Sequence, residues 1–126
     1  MVAALAAATL GAFVAGRVTA AQADRTWSRY DGRDWTLFEP REKRAFVSGF
    51  LAGSALADAG HAGATDSAAL HRAVDSLFRG GGLTFPFAHV VYATQLDDFY
   101  WWENHIPVPL YLALRDVNGR LKRQER

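Results

Sequence analysis

Gln95–Leu114 reads QLDDFYWWENHIPVPLYLAL, with two adjacent acids, four consecutive aromatics and two prolines in one short window. Thr94 suits the cap of a helix in which Leu96, Phe99 and Tyr100 share one side. Asp97 and Asp98 then occupy the first turn, where the helix dipole favours acids. Asn104 suits its end, and Ile106-Pro107-Val108-Pro109 forces an extended link, because proline lacks an N–H and restricts the residue before it. Pro107 and Pro109 thereby set the entry angle of a further helix, whose apolar positions Ile106, Leu110, Leu114, Val117 and Leu121 recur at three and four residues. Asn118-Gly119 reads as a kink or break near its end. The window therefore predicts two helices, 94–103 and 108–123, joined by a tight corner.

Upstream, Pro40 fits the first position of a helix with Glu42 in its first turn, and Phe46, Val47, Phe50 and Leu51 mark an apolar face over 40–58. Gly49 and Gly53 lie on one line with Ala57. Each interior glycine costs about 1 kcal/mol relative to alanine, which points to compensation by close approach of another backbone. The corner-derived fourth helix, with its small Ala113, is the expected neighbour, and a ligand groove is the alternative. A further helix over 66–79 has Thr65 or Asp66 as cap, Leu70, Ala73, Val74, Leu77 and Phe78 on one face, and Gly80 as stop. LTFPFAHVVYA after it is ambiguous between strand and irregular chain. Residues 24–39 carry Trp27, Trp35 and an Asp-Gly turn signal, and read as a polar loop anchored by Trp35 and Leu37. The expected fold is all-α, with four helices over residues 40–126.

The 126 residues suffice for one core, half of them being apolar. There is no cysteine, which excludes disulfides, thiolate metal sites and cysteine nucleophiles. MVAALAAATLGAFVAG is uncharged and apolar from Val2 to Gly16, and Ala21-Gln22-Ala23 gives the small-x-small pattern of a signal-peptidase site. Residues 1–23 therefore read as a signal peptide or, if retained, as a membrane anchor touching the bilayer through residues 2–16. The first reading places the protein in the periplasm or outside the cell, and the second tethers it to the membrane facing the periplasm. Loss of residues 1–23 removes Arg17 and leaves 13 basic against 13 acidic side chains. That neutrality argues against nucleic-acid binding. The terminal RLKRQER is read as a solvated helix end.

No catalytic set emerges. Asp97 and Asp98 point about 100° apart on a helix, so they do not converge as a hydrolytic pair, with or without Tyr100. His61, His71, His89 and His105 have no metal-pair spacing, Ser48 and Ser54 lack a GxSxG setting, and Gly80-Gly81-Gly82 is followed by no Lys-Ser/Thr. No cofactor or metal is expected. What remains is FYWW: a helix cannot aim four consecutive aromatics at one core, so with Phe99 and Tyr100 inward, Trp101 or Trp102 lies at the rim. An exposed tryptophan is a contact anchor, and Trp101 and Trp102 with the neighbouring Asp98 and Glu103 form the candidate surface for a protein partner. The alternative folds both tryptophans beneath the N-terminal polar loop.

Trp35 with Leu37, Lys43 before FVSGFLAG, and QLDDFY followed by ENHIPVPLYLAL together resemble small exported bacterial proteins related to the Tai family, the periplasmic immunity proteins against type VI secretion amidases. The resemblance covers residues 35–120. It implies an all-helical, signal-bearing, non-enzymatic protein that binds and occludes a peptidoglycan amidase.

Overall fold

In the computed structural model, residues 26–126 are described. The signal or anchor read over 1–23 lies outside them. The described residues form five α-helices and no strand: α1 Gly32–Leu37, α2 Pro40–His61, α3 Ser67–Gly80, α4 His89–Tyr100 and α5 Leu110–Gln124. Single 3-10 turns stand at Trp27–Arg29 and Glu103–His105. The all-α class is thus as expected, with a helix added ahead of the four.

That added helix corrects the expected loop over 24–39. Asp31 accepts the Arg33 N–H at 2.8 Å, and Asp34 returns to accept the Asp31 N–H at 2.9 Å. Two orphan donors are satisfied reciprocally, so Asp-Gly opens a helix here and not a turn. Trp35 is the buried anchor of α1, whereas Leu37 faces solvent. Tyr30 and Phe38 flank the helix and meet edge-to-face at 5.7 Å, and both approach Phe46 of α2 at 6.1 Å.

α2 starts as expected, with Pro40 at its first turn and the Glu42 carboxylate accepting the Glu39 N–H at 2.8 Å. α3 is capped by Asp66, which accepts the Ala69 N–H at 2.9 Å, and stops at Gly81 in the left-handed conformation, φ 72°. α4 begins at His89, before the expected Thr94, without any side-chain cap. Burial of Tyr92, Ala93, Leu96, Phe99 and Tyr100 on one face outweighs the missing cap. α4 ends at Tyr100, and Asn104 falls inside the following 3-10 turn. α5 runs unbroken through Asn118-Gly119. Asn118 is held from its side chain: its amide N–H donates to the Thr84 carbonyl at 2.8 Å, and its oxygen accepts the Tyr92 hydroxyl at 2.7 Å.

α4 is the central element, packed on α1, α2 and α5, while α2 and α3 form a hairpin at its side. The core gathers Trp35, Val47, Tyr92, Leu96, Leu110, Leu114 and Val117. The expected approach of α5 to the glycines of α2 does not occur. A Cβ built at Gly49 or Gly53 meets nothing within 4 Å, and both face solvent. Val47 and the half-buried Phe46, Phe50 and Leu51 set the inner face of α2, and the glycine line falls on the opposite side. Close backbone approach occurs instead at Gly32, where a Cβ would lie 2.5 Å from Tyr100 Cδ1 and 2.9 Å from Ile106 Cα.

Candidate functional site

The corner after α4 is built around two inward aromatics. Tyr100 is buried and its hydroxyl donates to the Val108 carbonyl at 2.7 Å, which pins the proline link against the end of α4. Burial raises its pKa, with the Asp31 and Asp34 charges adding in the same direction. Phe99 is held between two neighbours: the His105 ring stacks on it at 4.3 Å, and the Arg120 guanidinium stands 5.4 Å from its centroid. His105 Nδ1–H donates to the Phe99 carbonyl at 2.7 Å, satisfying one of the open carbonyls at the helix end. The link is tied to the N-terminal segment at two points. Gly32 N–H donates to the Ile106 carbonyl at 2.9 Å, and Leu110 N–H to the Tyr30 carbonyl at 2.8 Å. Pro109, with φ −57° and ψ 142°, delivers the chain into α5, while Pro107 stands at the surface.

With the corner fixed from inside, the next two residues have no core to enter. Trp101 is 82% exposed and Trp102 61% exposed, and Asp98 and Glu103 beside them are exposed as well. Among the described residues neither tryptophan is folded under the N-terminal segment. Trp27, 67% exposed, sets its ring edge-on to Tyr111 in the first turn of α5 at 6.2 Å. Trp101, Trp102, Glu103 and Asp98 are thus all accessible around the end of α4, and Trp27 with Tyr111 forms a separate exposed aromatic pair at the start of α5 that their positions in the chain did not reveal.

A second cluster joins residues far apart in the sequence. Trp35 Nε1–H donates to Asp97 Oδ1 at 2.8 Å, and the Lys43 ammonium reaches the same oxygen at 2.7 Å while standing 5.1 Å over the Trp35 ring. Trp35, Lys43 and Asp97 belong to α1, α2 and α4 respectively. They dock α1 on α2 and α4, and Asp97 is committed to them while Asp98 is not. A third chain of bonds closes the opposite side. The Thr84 hydroxyl and N–H donate to Asp58 at 2.7 and 2.8 Å, and the Thr84 carbonyl accepts Asn118, which in turn holds Tyr92. The Thr84 hydroxyl, then its N–H, lower the Asp58 pKa, and burial pushes Tyr92 up to about 12.

His71 lies 3.7 Å from Asp75 as a surface pair one turn apart on α3. Among the described residues no three His, Cys, Asp or Glu side chains are grouped to hold a metal ion, and no helix is long and apolar enough to cross a membrane. In comparisons with known proteins, no family model, no curated protein and no solved structure matches this chain.

Proposed function

We propose that the chain is a non-enzymatic exported binding protein that captures a protein partner through the aromatic rim at the α4–α5 corner. The exposure of Trp101 and Trp102 carries this reading. Large aromatic side chains held at a fixed place by a rigid corner lose little entropy on contact and offer large area, which is how interface anchors work. Asp98 and Glu103 supply a polar edge that favours a partner with cations around an apolar hollow. The Tai-like stretches suggest a specific form, occlusion of a peptidoglycan amidase. A titration of such a purified amidase with the chain tests it: complex formation with loss of turnover supports the immunity form. Full turnover at saturating chain removes that form.

A second reading, a membrane-anchored accessory subunit, is favoured by one observation. Trp27, Trp101 and Trp102 are all exposed, and exposed tryptophans are at home at a bilayer interface, to which a retained Val2–Gly16 segment would bring the chain. Intact-mass measurement on protein from its native cell separates the two. Cleavage after Ala23 leaves Asp24 as the first residue and removes the anchor.

A further inference from the structure

The outer face of α2 is unusual for a solvent-facing helix. Ala45, Ser48, Gly49, Ala52, Gly53, Leu56, Ala57 and Gly60 are all exposed, and no charge interrupts them over four turns. Alongside, α3 buries none of its residues fully despite its apolar stripe. Between the two helices runs an apolar groove of about 410 Å³, lined by Ala52, Ala55, Leu56, Leu70 and Val74 with Ser67 and His71 at its edge. Gly49 and Gly53 cost helix stability, and among the described residues nothing approaches them in return. The face is thus open to the close backbone approach of another molecule.

We propose that this molecule is a second copy of the chain, paired through α2 about a two-fold axis between Ala52 and Gly53. The helices run antiparallel in this arrangement. Its register matches sizes along the whole face: Leu56, 53% exposed, falls opposite the hollow at Gly49 of the other copy, Ala52 opposite Gly53, Ser48 opposite Ala57 and Ala45 opposite Gly60. Being uncharged, the face meets itself without like-charge repulsion. Charges complement one another at its ends. Arg41 and Arg44, exposed and without an ion pair among the described residues, fall opposite Ala64 and His61 at the C-terminal end of the other α2, where the helix dipole favours cations and the Asp66 carboxylate caps α3, and where a neutral His61 adds no opposing charge. An isologous contact of this kind closes on itself and leaves the tryptophan rim free for its own partner.

The test is sedimentation equilibrium on the chain in the form the cell makes, together with single-cysteine cross-linking, which the absence of any native cysteine makes specific. A dimer is expected, and Ala52→Cys should close an intermolecular disulfide under oxidation. Ala45→Cys should not, because the two copies of residue 45 lie roughly 22 Å apart along antiparallel helices at about 1.5 Å rise per residue. Gly49→Leu should weaken association on the order of tenfold or more by filling the hollow, while raising the melting temperature of the dilute monomer through better helix propensity. Trp101→Ala should leave the dimer intact. A monomer at every concentration overturns the proposal, and so does a dimer that cross-links through Ala45→Cys or dissociates with Trp101→Ala.

Discussion

Replacing Gly32 by alanine adds one methyl group at the place where three parts of the chain meet. The new Cβ would lie 2.5 Å from Tyr100 Cδ1, 2.9 Å from Ile106 Cα and 3.0 Å from Ile106 Cδ1. Ordinary carbon–carbon contact is about 3.5–4.0 Å, so the shortfall reaches roughly 1 Å at the tyrosine ring. Neither neighbour retreats freely. Tyr100 is tethered through its hydroxyl to the Val108 carbonyl, and Ile106 accepts the Gly32 N–H itself, so relief means loosening a hydrogen bond. Overpacking of this kind costs about 1–3 kcal/mol and a weakened hydrogen bond about 0.5–1.5 kcal/mol, against a gain of at most about 1 kcal/mol from alanine's helix propensity. The net loss expected for Gly32→Ala is about 1–3 kcal/mol, or roughly 5–25 °C in melting temperature for a domain of this size. Gly119→Ala is the control. Its Cβ meets only the flexible end of Arg123 at 3.6 Å, inside an unbroken helix, so the same chemical change should stabilise by about 0.5–1 kcal/mol. Urea unfolding of both variants at matched m-values decides the matter. A Gly32→Ala protein as stable as the parent would show that the corner is not packed as described.

Asp97→Ala leaves the buried Trp35 N–H without its acceptor and Lys43 without its partner, and should cost about 1–3 kcal/mol in denaturant unfolding. Asp58 has its pKa lowered in the fold, so the stability it contributes is present above about pH 4, its unfolded value, and is lost as pH falls through the folded value. Asp58→Asn should therefore flatten the acid limb of the stability profile, and an unchanged slope below pH 4 would exclude Asp58 as its source. Tyr92 has its pKa raised to about 12, so its contribution is complete below about pH 10 and declines as pH rises from there through 12. Tyr92→Phe should lessen the alkaline decline, and the part due to the buried Tyr100 should remain. Asn118→Ala, which strips partners from both Tyr92 and Thr84, should destabilise by about 2–4 kcal/mol, measured by thermal melting.

The elements legible in the sequence were those whose apolar spacing is long and regular, as in α2, α3 and α5. α4 was legible in its second half only, because its start rests on burial of Tyr92 and not on a cap. α1 was missed for a local reason: Asp31-Gly32-x-Asp34 combines a turn signal with a capping box, and the box prevails once Trp35 is buried. The glycines of α2 signalled a close approach, yet nothing local says from which side of the helix a neighbour comes. Gly32, the glycine that does face a neighbour, is explained only by residues more than 60 positions away. At the site, FYWW announced its own rim because four successive aromatics cannot share one face. The Trp27–Tyr111 pair could not be read from sequence, since it depends on the Tyr30–Leu110 and Gly32–Ile106 hydrogen bonds that bring the two segments together.

The central claim is that Trp101 and Trp102 are held outward for contact and contribute little to the fold. The double variant Trp101→Ala/Trp102→Ala, melted alone and titrated against a peptidoglycan amidase that binds the parent chain, tests it most directly. The melting temperature should stay within about 4 °C of the parent, since few core contacts are lost. The affinity should fall by about 2 kcal/mol or more, roughly thirtyfold. A protein that melts far lower yet binds as tightly as the parent would contradict the account.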